Sequence, residues 1–435
     1  MAALRYRDFR LLWSGFILSY TGTFMQAAAM LWHVSLLVPE NRRALALGFV
    51  GLARIGPILV FSLISGVAAD ALNRRTLMLG TQSIMALLAA VLAMLTFRGL
   101  DAVWPIYVLA ACSSAVGAFD TPARQALVPT LVARKDLANA ISLNTIAIQL
   151  ASVIGPAVGG LMIAYVDVGW VYAFNALSFL FVIGALVLMK GQGATHIDGI
   201  DARDRGNFSL AAALDGLRFV FRAPLIRSTM LLDFFATFFS SATALLPIFA
   251  QDVLHVGARG YGWLYAAPAA GAVLTSAVMI RGVDLITHRG RFLVGSVIVY
   301  GLATVVFGLS TMFWLTFACL AVTGAADTVS MIFRNLIRQL ETPDYLRGRM
   351  IGVNMVFFTG GPQLGELEAG LVANWLGPIA SVVTGGIGCI LATSWIAART
   401  PALRRHRTAA LPGGETPPVA GSPLEDVQPP STPVT

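Results

Sequence analysis

The sequence predicts an all-α membrane protein in which twelve transmembrane helices form two homologous six-helix halves around a central cavity. Composition is the first observation behind this fold class: 57% of the residues are hydrophobic and 12% are charged, against about 25% charged residues in soluble proteins. The second is a series of apolar runs, each near the roughly 20 residues that span a bilayer. The third is an internal repeat, which relates the two halves of the chain.

The apolar runs number twelve, six in each half, and polar, proline or glycine residues separate them. The first run, Phe9 to Leu37, exceeds the length of a signal-peptide core and lacks a small-residue cleavage site, so we expect it to remain as the first helix. The runs begin near Phe9, Ala44, Thr76, Trp104, Asn139, Trp170, Pro224, Gly260, Arg291, Met312, Gly348 and Pro378.

The repeat pairs Ala111–Thr121 with Ala318–Thr328 at a constant offset of 207 residues. Six of its eleven positions are identical, and both copies carry an aspartate near the end of an apolar run, at Asp120 and Asp327. Two homologous halves within a lipid-soluble chain are typical of membrane transporters, which hold a substrate site between the halves. The sequence therefore favours a transporter.

The basic residues predict the orientation of the helices. If both termini are cytoplasmic, 25 of the 30 Lys and Arg lie on the inner side, four lie on the outer side (Arg42, Arg43, Arg98 and Arg259), and Arg54 lies within a helix. By the positive-inside rule, this asymmetry predicts a multi-pass protein of the bacterial cytoplasmic membrane with both termini inside. It also accounts for the net charge of +8 without a nucleic-acid partner.

Changes of composition predict the domain boundaries. Residues 1–189 and 223–398 form the two halves, and residues 190–222 form a polar cytoplasmic linker whose last part, 208–222, has the spacing of an amphipathic helix. Residues 399–435, rich in Pro, Gly, Ser and Thr, are expected to be a disordered cytoplasmic tail. No phosphate-binding glycine loop, catalytic triad or Cys/His cluster occurs, so we expect neither a cofactor, nor a metal, nor an enzymatic activity.

Three motifs carry a family resemblance. The loop Gly66–Arg75 has an aspartate followed by a basic pair, the fifth run reads Gly155-Pro156-Ala-Val-Gly159-Gly160, and a longer segment runs from Asp120-Thr-Pro-Ala-Arg124 to Asn144. On these residues the chain resembles the major facilitator superfamily, and within it a bacterial branch that includes the enterobactin exporter and related drug exporters. The loop departs from the family pattern at Ala71, where Arg is usual, and at Asn73, where Gly is usual.

The resemblance implies roles for these motifs. In the family, the loop forms a charge latch between the halves on the inner side, which here corresponds to Asp70 with Arg74 and Arg75. The alternative is that these charges only set the orientation of the helices in the membrane. The glycine-proline motif implies a hinge and favours export, although helix packing would also explain its glycines. We assign this hinge to Gly155, Pro156, Gly159 and Gly160 in the first half and to Gly361, Pro362 and Gly365 in the second.

Charged residues near the inner ends of the fourth and tenth runs predict further gate contacts. Asp120 lies four residues before Arg124, and Asp327 lies seven residues before Arg334. Both spacings bring opposite charges to nearby points of a helix surface. We therefore expect ion pairs at the membrane interface. We interpret these residues as elements of a gate rather than as substrate ligands.

Polar stripes on the first and seventh helices predict the cavity walls. Ser19, Thr23, Gln26 and His33 follow a helical spacing on the first helix, and Thr229, Asp233, Thr237, Ser240 and Thr243 do so on the seventh. We predict that Ser19, Thr23, Gln26, His33, Thr237 and Ser240 line the cavity. The alternative for His33 is that its side chain lies at the membrane interface and does not take part in the cavity. Within the second helix, Arg54 either neutralises a cavity carboxylate or binds an anionic substrate.

Three carboxylates are candidates for proton coupling. Asp233 lies about nine residues inside its helix, roughly 14 Å from the inner edge and so near the centre of the bilayer. A structural hydrogen bond is the alternative role for it. Glu366 and Glu368 differ by about 200° around their helix, so only one of them faces a given cavity. We prefer Glu366, which lies beside the Gly-Pro motif of its helix.

Together these features predict a monomeric secondary transporter, surrounded by membrane lipid, that exports a small amphipathic compound by alternating access in exchange for protons. A drug, a siderophore and a metabolite all remain open as the substrate. Proton-coupled uptake with the same fold is the first alternative. The second alternative is a lipid flippase or a membrane-embedded enzyme. A clustered nucleophile and base, or a metal triad, would indicate it.

Overall fold

The computed structural model describes residues 2–99, 102–189, 217–239, 241–282, 286–343 and 346–405. Most of the predicted linker and of the predicted tail, residues 190–216 and 406–435, therefore lies outside the described residues. Of the predicted amphipathic segment, the described part is residues 217–222, which are helical.

Twelve long helices dominate the described part of the chain. Six of them, α1 to α6, make up the N-terminal half: Arg7–Leu37, Glu40–Ala71, Arg74–Phe97, Trp104–Leu127, Leu137–Tyr165 and Val168–Leu188. Six more, α7 to α12, make up the C-terminal half: Pro224–Phe239, Gly257–Gly282, Arg289–Leu309, Phe313–Glu341, Arg347–Leu376 and Pro378–Arg399. Three short segments continue α7, Ala242–Leu245, Leu246–Ile248 and Phe249–Val253, and one short helix follows α12, Pro401–Arg405.

The predicted helix count is confirmed, and every predicted start lies within a few residues of the observed one. By length and composition, ten of the described helical stretches can cross a membrane. The two remaining long helices, α1 and α11, have 31 and 30 residues and thus the length to do so. Their polar side chains and glycines lower their hydropathy, as in the stripe of Thr23 and Gln26 on α1 and the pair of Glu366 and Glu368 on α11.

Both halves pack their helices in the same pattern. In the N-terminal half α1 packs on α5 and α6, α3 on α4 and α6, and α2 on α4. The C-terminal half repeats these pairs as α7 with α11 and α12, α9 with α10 and α12, and α8 with α10. This correspondence is what the internal repeat predicts. The halves meet mainly through two equivalent contacts, α2 with α11 and α5 with α8.

The bundle has two ends that differ in charge and in packing. We call the end where α1 begins the basic end, because it carries Arg74, Arg75, Arg134 and Lys135, and the opposite end the far end. One buried apolar cluster joins residues of both halves, and it includes Leu31, Leu47, Leu246, Tyr261 and Ala373, all toward the far end. The other described apolar clusters each stay within one half. The hydrophobic core therefore holds the halves together at the far end.

Glycines allow the halves to approach closely there. At the crossing of α5 with α8, a Cβ atom added to Gly160 would lie 2.6 Å from the Cα atom of Gly262. At the crossing of α2 with α11, a Cβ atom added to Gly370 would lie 2.8 Å from the Cα atom of Gly48. Real Cβ atoms do not come this close to a backbone, so both crossings depend on residues without side chains.

We expect Gly160→Leu to separate the halves at the far end, because the new side chain cannot fit between α5 and α8. In a background without the native cysteines, Ser35→Cys, which replaces a fully buried residue near this end, should then react faster with a membrane-impermeant maleimide. The matched control is Gly184→Leu on α6, where no atom lies within 4 Å of an added Cβ. Equal labelling rates in the two variants would contradict a closure that depends on glycine.

Candidate functional site

A cavity of about 450 Å³ lies within the N-terminal half. Its volume falls in the range of small-molecule binding sites, about 300–1,000 Å³. All six helices of that half contribute to its wall, and exposed residues of α4, Thr121 and Gln125, mark its side toward the basic end. The lining residues are Tyr20, Thr23, Gln26, Ala27, Met30, Arg54, Met85, Ala110, Ser113, Ser114, Gly117, Asp120, Thr121, Arg124, Gln125, Asn144, Ile148, Asn175 and Phe179.

Amide side chains form a polar wall in this cavity. The Asn175 amide nitrogen donates to the Gln26 carbonyl oxygen at 2.8 Å, which links α6 to α1. The Asn144 carbonyl oxygen on α5 is buried and has no hydrogen-bond partner among the described residues. A buried amide without a partner is unfavourable unless a ligand or water supplies one. The cavity therefore offers unused polar groups beside apolar side chains such as Met85 and Phe179.

Arg54 places a positive charge in the wall of the cavity, about halfway along α2. Its guanidinium contacts the sulfur of Met30 at 3.8 Å, which is a weak hydrogen bond. Its charge interacts electrostatically with Glu366 and with Tyr261 and Tyr265 of α8. Among the described residues, however, no carboxylate oxygen lies within 4 Å of this guanidinium.

Glu366 lies where α11 of the C-terminal half meets α2 of the N-terminal half. Its Oε2 atom would be 2.8 Å from a Cβ atom added to Gly51, one helical turn from Arg54. This oxygen is buried and has no hydrogen-bond partner among the described residues. Glu368, on the other side of the helix, is half-buried. Of the two glutamates, Glu366 is thus the one at the contact between the halves.

Polar contacts close the far end between the halves. Arg43 forms an ion pair with Asp252 at 2.8 Å, and the Gln251 amide donates to the Ser35 hydroxyl at 2.8 Å. The Tyr261 hydroxyl donates to the carbonyl of Ala28, also at 2.8 Å. Three polar contacts thus join the halves at the far end. The structure thus combines a closed far end with a cavity reached from the basic end.

In the N-terminal half, the repeated aspartate anchors a buried network. Asp120 pairs with Arg124 at 2.7 Å and accepts hydrogen bonds from Thr81 and Gln82 at 2.7 and 2.8 Å. The Arg124 guanidinium lies over the ring of Phe16, 4.2 Å from its centroid, and over that of Tyr20, 4.6 Å from its centroid. These cation–π contacts tie α4 to α1.

In the C-terminal half, the corresponding aspartate shares an arginine with Asp233. Arg334 of α10 lies 3.0 Å from an oxygen of Asp233 on α7 and 3.2 Å from one of Asp327. Arg338, one turn further along α10, lies 3.9 Å from the second oxygen of Asp233. Asp233 and Arg334 are 2% and 1% exposed, so this pair is buried. The equivalent helix pairs of the two halves are therefore joined differently: α7 and α10 by an ion pair, and α1 and α4 by cation–π contacts.

The residues predicted to line the cavity from the N-terminal half lie in different surroundings. Thr23, Gln26 and Arg54 line the cavity. Ser19 does not, because it is 1% exposed and buried in the helix packing. His33 lies beyond the cavity, buried beside the Tyr172 hydroxyl at 3.3 Å.

On the seventh helix the predicted stripe faces other helices. Thr237 donates to the Asp233 carbonyl of its own helix at 2.8 Å and packs against Gly361 of α11. Asp233 points to α10, as its ion pair with Arg334 shows. Thr237 is not among the residues that line the cavity of the N-terminal half, and Ser240 lies outside the described residues.

The predicted gate residues occupy different positions. Arg74 and Arg75 donate to the carbonyls of Ala126 and Val187 in their own half, so these contacts are not a latch between the halves. The side chain of Asp70 lies outside the described residues. Asp327 lies in the middle of α10 and not at its end, because the helix continues to Glu341.

The predicted hinge glycines are packing surfaces. Gly155 and Gly159 face α1, at Phe24 and Met25, whereas Gly160 faces Gly262 across the interface between the halves. In the C-terminal half, Gly361 and Gly365 face α7, and the Pro362 carbonyl accepts a hydrogen bond from Ser241 at 2.9 Å. Pro156 and Pro362 both lie inside their helices.

Sequence reasoning missed two groups of residues. It looked for polar stripes on the first and seventh helices, and so it assigned no cavity role to the amides Asn144 and Asn175 on the fifth and sixth, although a polar side chain in an apolar run is a similar signal there. The far-end contacts had no sequence signal, because their residues are ordinary helix-end and loop residues: Ser35, Arg43, Gln251, Asp252 and Tyr261.

Two six-helix halves with equivalent helix packing, joined by α2 with α11 and α5 with α8, have the fold of a transporter of the major facilitator superfamily, and the N-terminal half encloses a cavity. Solved structures support the fold. A bacterial homologue of the human lysosomal transporter Spinster, inward-facing and unoccupied, aligns with a TM-score of 0.71 at 14% identity, over 93% of this chain and 99% of the other. A bacterial homologue of the iron transporter ferroportin, also inward-facing, aligns with a TM-score of 0.63 at 17% identity, over 89% and 99%.

The chain belongs to the transmembrane secretion effector family, which matches residues 1–420. The enterobactin exporter EntS of Escherichia coli O1:K1 is 28% identical over 387 residues, which cover 86% of this chain and 85% of the exporter. The multidrug efflux pump Tap of Mycolicibacterium fortuitum is 30% identical over 397 residues, which cover 87% of this chain and 92% of the pump. This protein is therefore a multi-pass membrane transporter of small molecules and not an enzyme.

Proposed function

We propose that this transporter exports a small amphipathic compound across the bacterial cytoplasmic membrane by alternating access. The observation that carries the proposal is the cavity that reaches the basic end while polar contacts and an apolar cluster close the far end. The functions of the two relatives, export of enterobactin and efflux of drugs, support outward transport.

The basic residues support the orientation in this proposal. With the basic end in the cytoplasm and both termini inside, the positive-inside rule is satisfied. The structure is then the inward-facing state, in which an exporter loads its substrate from the cytoplasm. Release on the outer side requires the far-end contacts to break and the basic ends of the halves to approach.

Proton antiport is the proposed source of energy, and Glu366 is the proposed proton carrier. Its unpartnered Oε2 atom lies at the contact between the halves, where rearrangement of α2 and α11 changes its surroundings. Asp233 is less suited, because Arg334 and Arg338 already neutralise it away from the cavity. Glu368 is half-buried on the other side of α11 and serves as the comparison residue.

A crosslink across the far end tests alternating access. We expect Ser35→Cys with Gln251→Cys, joined by a short thiol-specific crosslinker, to stop transport, because the polar contact at 2.8 Å can then no longer break. Cleaving the crosslinker should restore transport in proteoliposomes. The background lacks Cys112, Cys319 and Cys389.

The control places the same crosslinker within one half, between Phe97→Cys and Trp170→Cys, whose native rings are 5.4 Å apart. This link joins α3 to α6, which move together if the halves are rigid. Full transport with the crosslink between the halves in place would contradict the proposal.

Vesicle polarity tests the direction of transport. With a panel of anionic, neutral and cationic dyes, everted vesicles should accumulate the substrate when their lumen is acidified, since protons then leave as substrate enters. Accumulation in right-side-out vesicles, driven by external acid, would instead identify proton-coupled uptake.

A further inference from the structure

We propose that Arg54 binds a negatively charged group of the substrate, so that the cavity selects amphipathic compounds carrying one negative charge. This inference rests on the proposed transport function and names the class of its substrate. It concerns the N-terminal half, because the cavity and its cationic group both lie there.

The charges of the cavity wall leave one positive charge uncompensated. The charged residues that line the cavity are Arg54, Asp120 and Arg124. Asp120 and Arg124 neutralise each other through an ion pair of 2.7 Å. The Arg54 guanidinium has no carboxylate within ion-pair distance among the described residues. A positive charge held in a partly buried wall attracts an anion more strongly than it would in water.

Contacts of Arg54 leave its hydrogen-bonding capacity open. A guanidinium carries five N–H donors, and the hydrogen bond described for this one goes to the sulfur of Met30. Carboxylate, sulfonate and phosphate groups match this donor geometry, because two of their oxygens can accept parallel hydrogen bonds. An anion would thus supply strong acceptors without displacing an existing ion pair.

Neighbouring residues complete an amphipathic site. Gln26 lies one helical turn from Met30 on α1, and its carbonyl accepts a hydrogen bond from Asn175, so its amide N–H groups remain available to the same anion. Met85, Ile148 and Phe179 offer apolar surface to the rest of the molecule. An anionic group at Arg54 and an apolar body against these side chains therefore fit the cavity together.

Other groups near Arg54 are compatible with a bound anion. Its charge interacts with Glu366 from α11 and with Tyr261 and Tyr265 from α8. Glu366 lies against Gly51 at the contact between the halves and is not among the residues that line the cavity. The one acidic residue among those that line the cavity, Asp120, is paired with Arg124, so an anionic substrate would not have to displace it from Arg54.

A matched pair of probes tests the proposal. Full-length protein in lipid nanodiscs is titrated calorimetrically with naphthalene-2-sulfonate and with its neutral isostere naphthalene-2-sulfonamide, and the signal of empty nanodiscs is subtracted. We expect the wild-type protein to bind the sulfonate at least about tenfold more tightly, in line with a hydrogen-bonded charge pair. Arg54→Gln should bind the two probes equally, and Arg54→Lys, which keeps the charge, should retain part of the preference.

Arg98→Gln is the control, since this arginine is exposed at the end of α3 and does not line the cavity; it should keep the wild-type preference. The proposal is overturned if the wild-type protein binds the sulfonate no better than the sulfonamide or not at all, or if Arg54→Gln keeps the preference. Export of neutral or cationic dyes without a sulfonate preference would contradict the anion site and support the export function. A sulfonate preference in a protein that transports none of the dyes would support the anion site and contradict the export function.

Discussion

Arg334→Met is expected to lower the free energy of unfolding by about 3–5 kcal/mol, because it removes one partner of a buried ion pair and leaves the other charge behind. The Asp233 carboxylate is 2% exposed and lies 3.0 Å from the lost guanidinium. Arg338, at 3.9 Å, remains as a weaker partner, so we expect a value near the lower end of that range. Titration with denaturing detergent in mixed micelles measures the change.

Two further variants sharpen this prediction. Asp233→Asn combined with Arg334→Met should be more stable than Arg334→Met alone, because no unpaired carboxylate then remains in the helix packing. Arg43→Met is the control for a more exposed pair: the side chains of Arg43 and Asp252 are 12% and 43% exposed, and we expect a loss of less than about 1 kcal/mol. Equal losses for Arg334→Met and Arg43→Met would show that burial of the Asp233 pair does not stabilise the fold.

Glu366→Gln is expected to abolish proton-driven transport while leaving the folded transporter intact. Glutamine has the shape of the protonated carboxyl, so the contact with Gly51 can persist, but it can neither take up nor release a proton. We therefore expect no concentrative transport in proteoliposomes under a pH gradient. Substrate counterflow, which needs alternation without net proton movement, should continue.

Glu368→Gln is the matched control for this second prediction, since it makes the same chemical change two residues away on the other side of α11. It should retain transport under a pH gradient. If Glu366→Gln also retains it, Glu366 is not the proton carrier; if both variants lose it, the coupling site extends around the helix. A variant that loses counterflow as well would indicate a defect in alternation.

The architecture was predictable because bilayer thickness and loop charge leave strong signals in a sequence. Apolar runs of about 20 residues placed the helix starts near Arg74, Trp104 and Pro224, and the repeat around Asp120 and Asp327 implied equivalent halves. Those signals depend on the solvent around each helix and not on its neighbours, so they can be read without knowing the packing.

Site geometry was harder to predict, because helical spacing gives a direction but neither a depth nor a neighbour. Ser19 and His33 follow the same spacing as Gln26, yet one is buried in helix packing and the other lies beyond the cavity. The sequence places Asp233 near mid-membrane and pairs Arg334 with Asp327 at the inner membrane interface. That interpretation misses the ion pair between Arg334 and Asp233, since α10 runs on to Glu341 and holds Arg334 beside α7.

The segment after α7 that takes part in the far-end contacts has an unusual backbone conformation. Phe249–Val253 is a π turn, in which the Leu254 N–H donates to the Phe249 carbonyl at 2.8 Å, five residues earlier. A π turn holds one residue more than an α turn, and one residue corresponds to about 100° of rotation. Gln251 and Asp252 both lie on this turn, opposite their partners in the other half.

Rewinding that single turn to α-helical hydrogen bonding would rotate both side chains away from their partners together. The contact of Tyr261 with Ala28 would remain, because Tyr261 is on α8, and it breaks only when the whole helix moves. The closed end thus contains two kinds of lock, one set by backbone winding and one set by helix position.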